Sequence, residues 1–436
     1  MSARRGETVF AVAVVAVFLF VRLALLVVRE PFFDELWTVW AARKPVGELL
    51  AALRLDSGPP LYYLIARIPN VFALRALSLL FATATLALVL TRASLGNARW
   101  IAGALLALYP PAALFAADAR AYALCGLFVA IGAIAVHEER PFAAAGAFVL
   151  AAYTHWYGAL FLPLILLAKA RLRAVFALAG AALLFIPGLL LARVQPAEAT
   201  AWLSGQHPLA AVNAFAFTGA YPESLFASPP LVVIALSCLA LVLAGIRSWR
   251  FAPLAIVPLL LAIAFAFAAR TVYFPMRFES VIAAPLVLWL AWSLQQWRRE
   301  WRAALVAMLC LCGGFALIYG MADHQQRPPD AYREAAAVLA RAAGPNDTVV
   351  ASGFLYLEAV HQLGDRVRAY PAEQGSHPGW RVRGRGEAPP EGNFLWIGER
   401  AAPELAAIRR RPVRLLFANG RAVVLRVSAP PGVPGS

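Results

Sequence analysis

The sequence predicts a polytopic α-helical membrane protein of about eleven spans, followed by a small C-terminal α/β domain. Three observations predict it. Of 436 residues, 61% are hydrophobic and only 14% charged, where a soluble domain has roughly 45–50% apolar and about 25% charged residues. The apolar residues gather in runs of about 18 or more, the length a helix needs to cross a bilayer. After about Met321 the texture changes to short alternating strand and helix patterns. Disorder, collagen-like repeats and an ordinary soluble enzyme are excluded. The chain divides into a membrane domain, 1–320, and an α/β domain, 321–436.

The apolar spacing places helices near 8–28, 73–91, 100–117, 119–136, 141–155, 157–169, 174–192, 230–246, 251–269, 280–297 and 303–320. Arg4 and Arg5 before an apolar run resemble a signal peptide. The run is long, contains Arg22 and lacks a small-x-small cleavage site before Arg29, so it reads as an uncleaved first span. Alternate connections are basic: Arg92 and Arg99, Arg140, Lys169 to Arg173, Arg247 and Arg250, and Arg298 to Arg302. The positive-inside rule sends these to the cytoplasm, and an odd number of crossings then leaves the C-terminal domain outside. The net charge of +15 therefore orients helices and implies no nucleic acid. Cys125, Cys238, Cys310 and Cys312 lie in apolar runs and read as small hydrophobes.

The opposite connections are longer. Residues 29–72 mix Phe32-Phe33-Asp34-Glu35 with Asp56-Ser57-Gly58-Pro59-Pro60 and the short apolar stretch Leu61–Ile65. That stretch reads as an interfacial helix with Tyr62 and Tyr63 at headgroup level. Residues 193–229 form a second outer loop, with Trp202, His207, Tyr221 and Glu223. In the C-terminal domain the pattern predicts a helix over Tyr332–Ala343, strands near 347–351, 366–370, 393–397, 413–418 and 422–427, helices near 354–363 and 402–411, and a loop over 371–392. It carries no glycine-rich phosphate fingerprint and no nucleophile–base pair, so it is expected to recognise, cap or position.

Charges at a membrane boundary are costly and mark function. Asp34 and Glu35 lie just beyond the first span among aromatics, as a general base with a supporting neighbour or as two solvated loop acids. Asp118, in Asp118-Ala119-Arg120-Ala121-Tyr122, is a second active-site carboxylate or a local partner of Arg120. His155, in Tyr153-Thr154-His155-Trp156-Tyr157, marks a tight outer turn, either binding phosphate or shuttling a proton, or capping a helix. Arg270 and Arg277 flank an outer loop, as phosphate clamps or as arginines snorkelling to headgroups. Together they describe one outward-facing site with carboxylates to activate an acceptor and arginines to hold an anionic leaving group. A divalent cation, if used, would fall to Asp34, Glu35 and Asp118.

The order Phe33-Asp34-Glu35, Asp56-Ser57-Gly58-Pro59-Pro60-Leu61-Tyr62-Tyr63, Asp118-Ala119-Arg120-Ala121-Tyr122 and Tyr153-Thr154-His155-Trp156-Tyr157-Gly158 resembles bacterial GT-C glycosyltransferases. These are related to the dolichyl-phosphate-mannose protein mannosyltransferases, the aminoarabinose transferase and the lipopolysaccharide-core galacturonosyltransferases. The resemblance implies an inverting transfer of a sugar from a polyprenyl-phosphate donor to an extracytoplasmic acceptor at the bacterial inner membrane. It assigns Asp34 the base role with Glu35 in support, gives Asp118 the acidic position of the second outer loop, and makes Arg277 a phosphate contact, with Arg120, Tyr122, His155, Arg270, Tyr62 and Tyr63 lining the substrate site. Gly58 stands where many relatives have His, and Asp118 where many have Glu. The alternatives are a transporter or flippase, which would show broken charged helices at mid-membrane and repeats, and a polysaccharide polymerase or ligase.

Overall fold

The computed structural model describes residues 2–196, 215–218, 229–269, 276–326, 331–353, 355–369, 392–402 and 404–429. Arg270, the outer-loop residues Trp202, His207, Tyr221 and Glu223, and nearly all of the 371–392 loop lie outside them. The chain forms two compact units, one of Met1–Glu30, Gly58–Val194 and Thr200–Gln326, the other of Pro31–Ser57, Gln195–Ala199 and Arg327–Ser436.

The first unit is an α-helical bundle. Its order is α1 (Ser2–Val28), a one-turn helix Leu61–Ile65, α5 (Val71–Thr91), α6 (Ala98–Leu108), α7 (Pro110–Phe115), α8 (Tyr122–His137), α9 (Pro141–Thr154), a 3₁₀ helix Trp156–Leu167, α10 (Arg171–Val194), α11 (Leu231–Gly245), α12 (Ala252–Ala269), α13 (Arg277–Val281), α14 (Ala283–Leu294) and α15 (Arg299–Gln326). Among the described residues four helices are long and apolar enough to cross a membrane, and seven shorter apolar helices accompany them. The sequence spacing anticipates all eleven. Small residues let them approach closely: a Cβ on Gly158 would stand 2.2 Å from the Ala151 carbonyl carbon. Pro163 inside the 3₁₀ helix removes another donor.

The expected single span 100–117 is two helices, because Pro110 and Pro111 lack the N–H groups that would serve the carbonyls of Leu106 and Ala107. Buried Arg22 supplies the missing donors, at 3.1 Å to Leu106 O and 2.8 Å to Ala107 O, with Phe18 O at 3.3 Å. A charge within the first span thus completes a helix break in a medium that offers no water.

The second unit holds α2 (Phe33–Ala42), α3 (Val46–Leu53) and the C-terminal domain: α16 (Tyr332–Ala342), β1 (Val349–Ala351), α17 (Leu355–Leu363), β2 (Val367–Ala369), β3 (Phe394–Glu399), α18 (Glu404–Ile408), β4 (Val413–Asn419) and β5 (Ala422–Val427). Its sheet runs β2-β1-β3-β5-β4. β1 pairs in parallel with β2 and β3, while β5 runs antiparallel to β3 and β4. Val350, Trp396, Leu405, Ile408, Val423 and Leu425 form a core on the sheet. Thus the loop after the first span shares a compact unit with the C-terminal domain.

Candidate active site

The ends of α1, α7 and α9 and the starts of α5, α8, α13 and the 3₁₀ helix meet at one end of the bundle. The end of α1 is fixed by Arg75, a fully buried side chain one turn into α5. It donates to Leu26 O at 3.3 Å, Arg29 O at 2.8 Å and Glu30 O at 3.0 Å, the carbonyls freed where α1 stops. Arg29 in turn donates to Leu114 O at 3.2 Å and pairs with the Asp118 carboxylate. Asp118 is wholly buried in the turn between α7 and α8. Arg29, far back in the chain, is thus an ion-pair partner of Asp118.

Arg120 donates to the Tyr63 hydroxyl at 3.2 Å. Tyr62 and Tyr63 are buried within the protein, 0% and 4% exposed. Tyr63 finds its polar partner inside the protein, and the two rings pack edge to face with centroids 5.6 Å apart. Gly58 makes room for them, since a Cβ there would sit 3.2 Å from Tyr63 Cε2.

His155 sits in the turn between α9 and the 3₁₀ helix, outside both. Its ring lies 5.1 Å from that of Tyr122 and 4.4 Å from that of Tyr157, and Tyr157 packs edge-on to Phe278 at 5.0 Å. Arg277, at the start of α13, stands 5.8 Å from the Tyr122 ring centroid. Loss of hydration, with the fields of Arg120 and Arg277 added, pushes the imidazole down to about 3. The ring is therefore neutral at physiological pH. His155 Nδ1 accepts from Tyr157 N at 3.2 Å, which leaves the proton on Nε2 and makes that atom a donor. Arg120, Arg277 and neutral His155 thus gather two guanidiniums and an imidazole N–H around Tyr122.

A pocket opens beside this cluster, lined by Phe18, Arg22, Thr85, Leu106, Phe115, Tyr122, Gly126 and Ser280 among others. Its walls are apolar except for the hydroxyls and the Arg22 guanidinium. Tyr122 belongs to both the cavity and the basic cluster.

In the other unit, Asp34 and Glu35 occupy the first turn of α2, where the helix dipole favours negative charge. Glu35 is fully buried and accepts from the Phe32 backbone N–H at 3.3 Å, capping its own helix. Asp34 is partly exposed. Among the described residues no three His, Cys, Asp or Glu side chains converge as a metal site.

The structure brings together Asp118, Arg120, Tyr122, His155, Arg277, Tyr62 and Tyr63 in one unit, and Asp34 with Glu35 in the other. Sequence reasoning missed Arg29, Arg75 and fully buried Glu279. A signal existed for Arg75: a lone charge inside an apolar run. The basic connections lie at the opposite end of the bundle, where Glu138 accepts from Ser94 at 2.7 Å and faces Arg92 and Arg140, and Arg250 donates to His137 at 3.1 Å.

No family model and no curated protein matches the sequence. Solved structures do. ArnT from Cupriavidus metallidurans bound to undecaprenyl phosphate superposes with a TM-score of 0.61 at 13% identity, covering 96% of this chain and 98% of that one. The apo form gives 0.61 at 14% identity, over 97% and 98%. The fold is GT-C. Nearly end-to-end coverage extends the likeness through both the helical bundle and the C-terminal domain. At this identity the likeness establishes architecture, and the chemistry rests on the residues.

Proposed function

We propose that the protein is an integral-membrane inverting glycosyltransferase that moves a sugar from a polyprenyl-phosphate donor to an extracytoplasmic acceptor. The observation that carries this reading is the anion-receptive cluster of Arg120, Arg277 and neutral His155 beside an apolar intramembrane cavity. A lipid phosphate has both characters, an anionic head and a hydrocarbon chain. ArnT, which shares the fold, is solved with undecaprenyl phosphate.

In this reaction an acceptor hydroxyl or amine attacks the anomeric carbon, and Asp34 accepts its proton. The bond to the lipid phosphate breaks, and the negative charge that develops on its oxygen is met by guanidiniums already in place and poorly screened by water. One base and one displacement require no covalent sugar–enzyme intermediate. Glu35, which caps its own helix terminus, holds the first turn of α2. Asp118, buried against Arg29, shapes the turn that presents Arg120.

The test compares donors with purified protein in lipid. Transfer is expected from a polyprenyl-phosphate sugar, and transfer from a nucleotide sugar alone would overturn the donor assignment. Asp34→Asn is expected to abolish transfer while leaving membrane insertion intact.

A further inference from the structure

The acidic helix α2 is not a free loop segment. Its residues Glu35 to Ala42 are buried in unbroken succession, so every face of the helix is covered. Within its unit α2 packs against α17 of the C-terminal domain. In an α/β domain a helix lays one face on the sheet and turns the other to water. In helix α17 the residues Leu355 to Val360 are buried in unbroken succession, Leu357 and Glu358 at 3% and 7% exposure. The C-terminal end of α17 lies close to that of α2: His361 is held below its ordinary range by partial burial, with Arg43, the C-cap of α2, and Arg333 of α16 adding to it. Leu357 is one turn before His361, on the same face. Beside the sheet and α16, α2 thus covers part of the surface that α17 would otherwise expose.

We propose that the C-terminal α/β domain positions the acidic helix, with Leu357 and His361 of α17 as positioning residues for Asp34. This rests on the assignment of Asp34 as the base. The leverage is geometric. Asp34 and Arg43 are separated by about 13 Å of helix at 1.5 Å per residue. A tilt of about 10° at the packed end therefore displaces the carboxylate by ~2 Å, and a misplacement of ~1 Å can cost about 10²-fold in rate.

The experiment uses the full chain in lipid, with Leu357→Ala, His361→Ala and the volume-conserving Leu357→Met. Amide hydrogen exchange across residues 33–42 is read beside kcat and donor KM. Leu357→Ala and His361→Ala are expected to speed exchange of the α2 amides at least tenfold, leave α1 and α5 unchanged, and lower kcat roughly 10–100-fold at constant donor KM. Leu357→Met is expected to restore both readouts. Unchanged α2 exchange in Leu357→Ala would overturn the proposal, as would loosened α2 with wild-type kcat. Asp34→Asn, measured alongside, separates the two ideas, because wild-type turnover there removes the base assignment while the exchange data still report the packing.

Discussion

Arg22 offers the sharpest test of how this membrane domain holds itself together. Its guanidinium supplies the donors that Pro110 and Pro111 cannot, with bonds of 3.1 Å and 2.8 Å to the carbonyls of Leu106 and Ala107. Replacement by Met keeps the apolar stem and removes both donors. Hydrogen bonds to a charged group are worth about 1.5–3 kcal/mol each, so two losses amount to roughly 3–6 kcal/mol. Some of this is offset because the buried guanidinium no longer has to be desolvated, leaving an expected net loss of about 2–4 kcal/mol. The assay is thermal unfolding of purified protein in detergent, read by retention of a monodisperse chromatographic peak. The decisive variant is the triple change Arg22→Met, Pro110→Ala, Pro111→Ala. Alanine returns an N–H to each position, the carbonyls regain i→i+4 partners, and much of the lost stability is expected to return. A triple variant no more stable than Arg22→Met would refute the account of the helix break.

Further outcomes follow from the same geometry. Asp118→Asn removes the carboxylate paired with buried Arg29, so a loss of about 3–5 kcal/mol is expected, and pairing it with Arg29→Met is expected to recover most of it in a double-mutant cycle of thermal stability. His155 has its pKa depressed to about 3 from an ordinary 6.5. The unfolded chain therefore binds the proton first, and the stability this contributes is fully present above about pH 6.5 and lost as pH falls toward 3. His155→Gln is expected to flatten that part of the Tm-against-pH curve. Arg277→Ala is expected to weaken donor binding by roughly 10–100-fold, the range for a lost charge-assisted bond, seen as a raised donor KM in the transfer assay. Gly158→Ala forces a Cβ to 2.2 Å from the Ala151 backbone and is expected to cost at least about 1–3 kcal/mol of thermal stability.

Much of the architecture follows from residue order alone. Runs such as Val9–Val28 and Leu74–Leu90 have no state in water that hides them, so their lengths set the spans. In the C-terminal domain, β-branched clusters such as Val349-Val350 and Val423-Val424 between Gly, Pro and Asp punctuation mark strands for equally local reasons. Asp118, Arg120, His155 and Arg277 are also visible in sequence, because polar residues at the ends of apolar runs stand out against their surroundings.

Partnership was decided in three dimensions. Whether Asp118 neutralises Arg120 two residues away or Arg29 far back in the chain depends on where α1 and α7 come to lie. Only packing could bury Tyr62 and Tyr63, because a tyrosine suits an interior or a surface until its neighbours are fixed. The pairing of Arg22 with the Pro110 break joins segments some 85 residues apart. The union of α2 with the C-terminal domain joins parts more than 300 residues apart. Hydrophobicity and turn chemistry act locally and can be read along the chain. Ion pairs, satisfied carbonyls and covered helix faces depend on distances through space, and those come into being only when the helices pack.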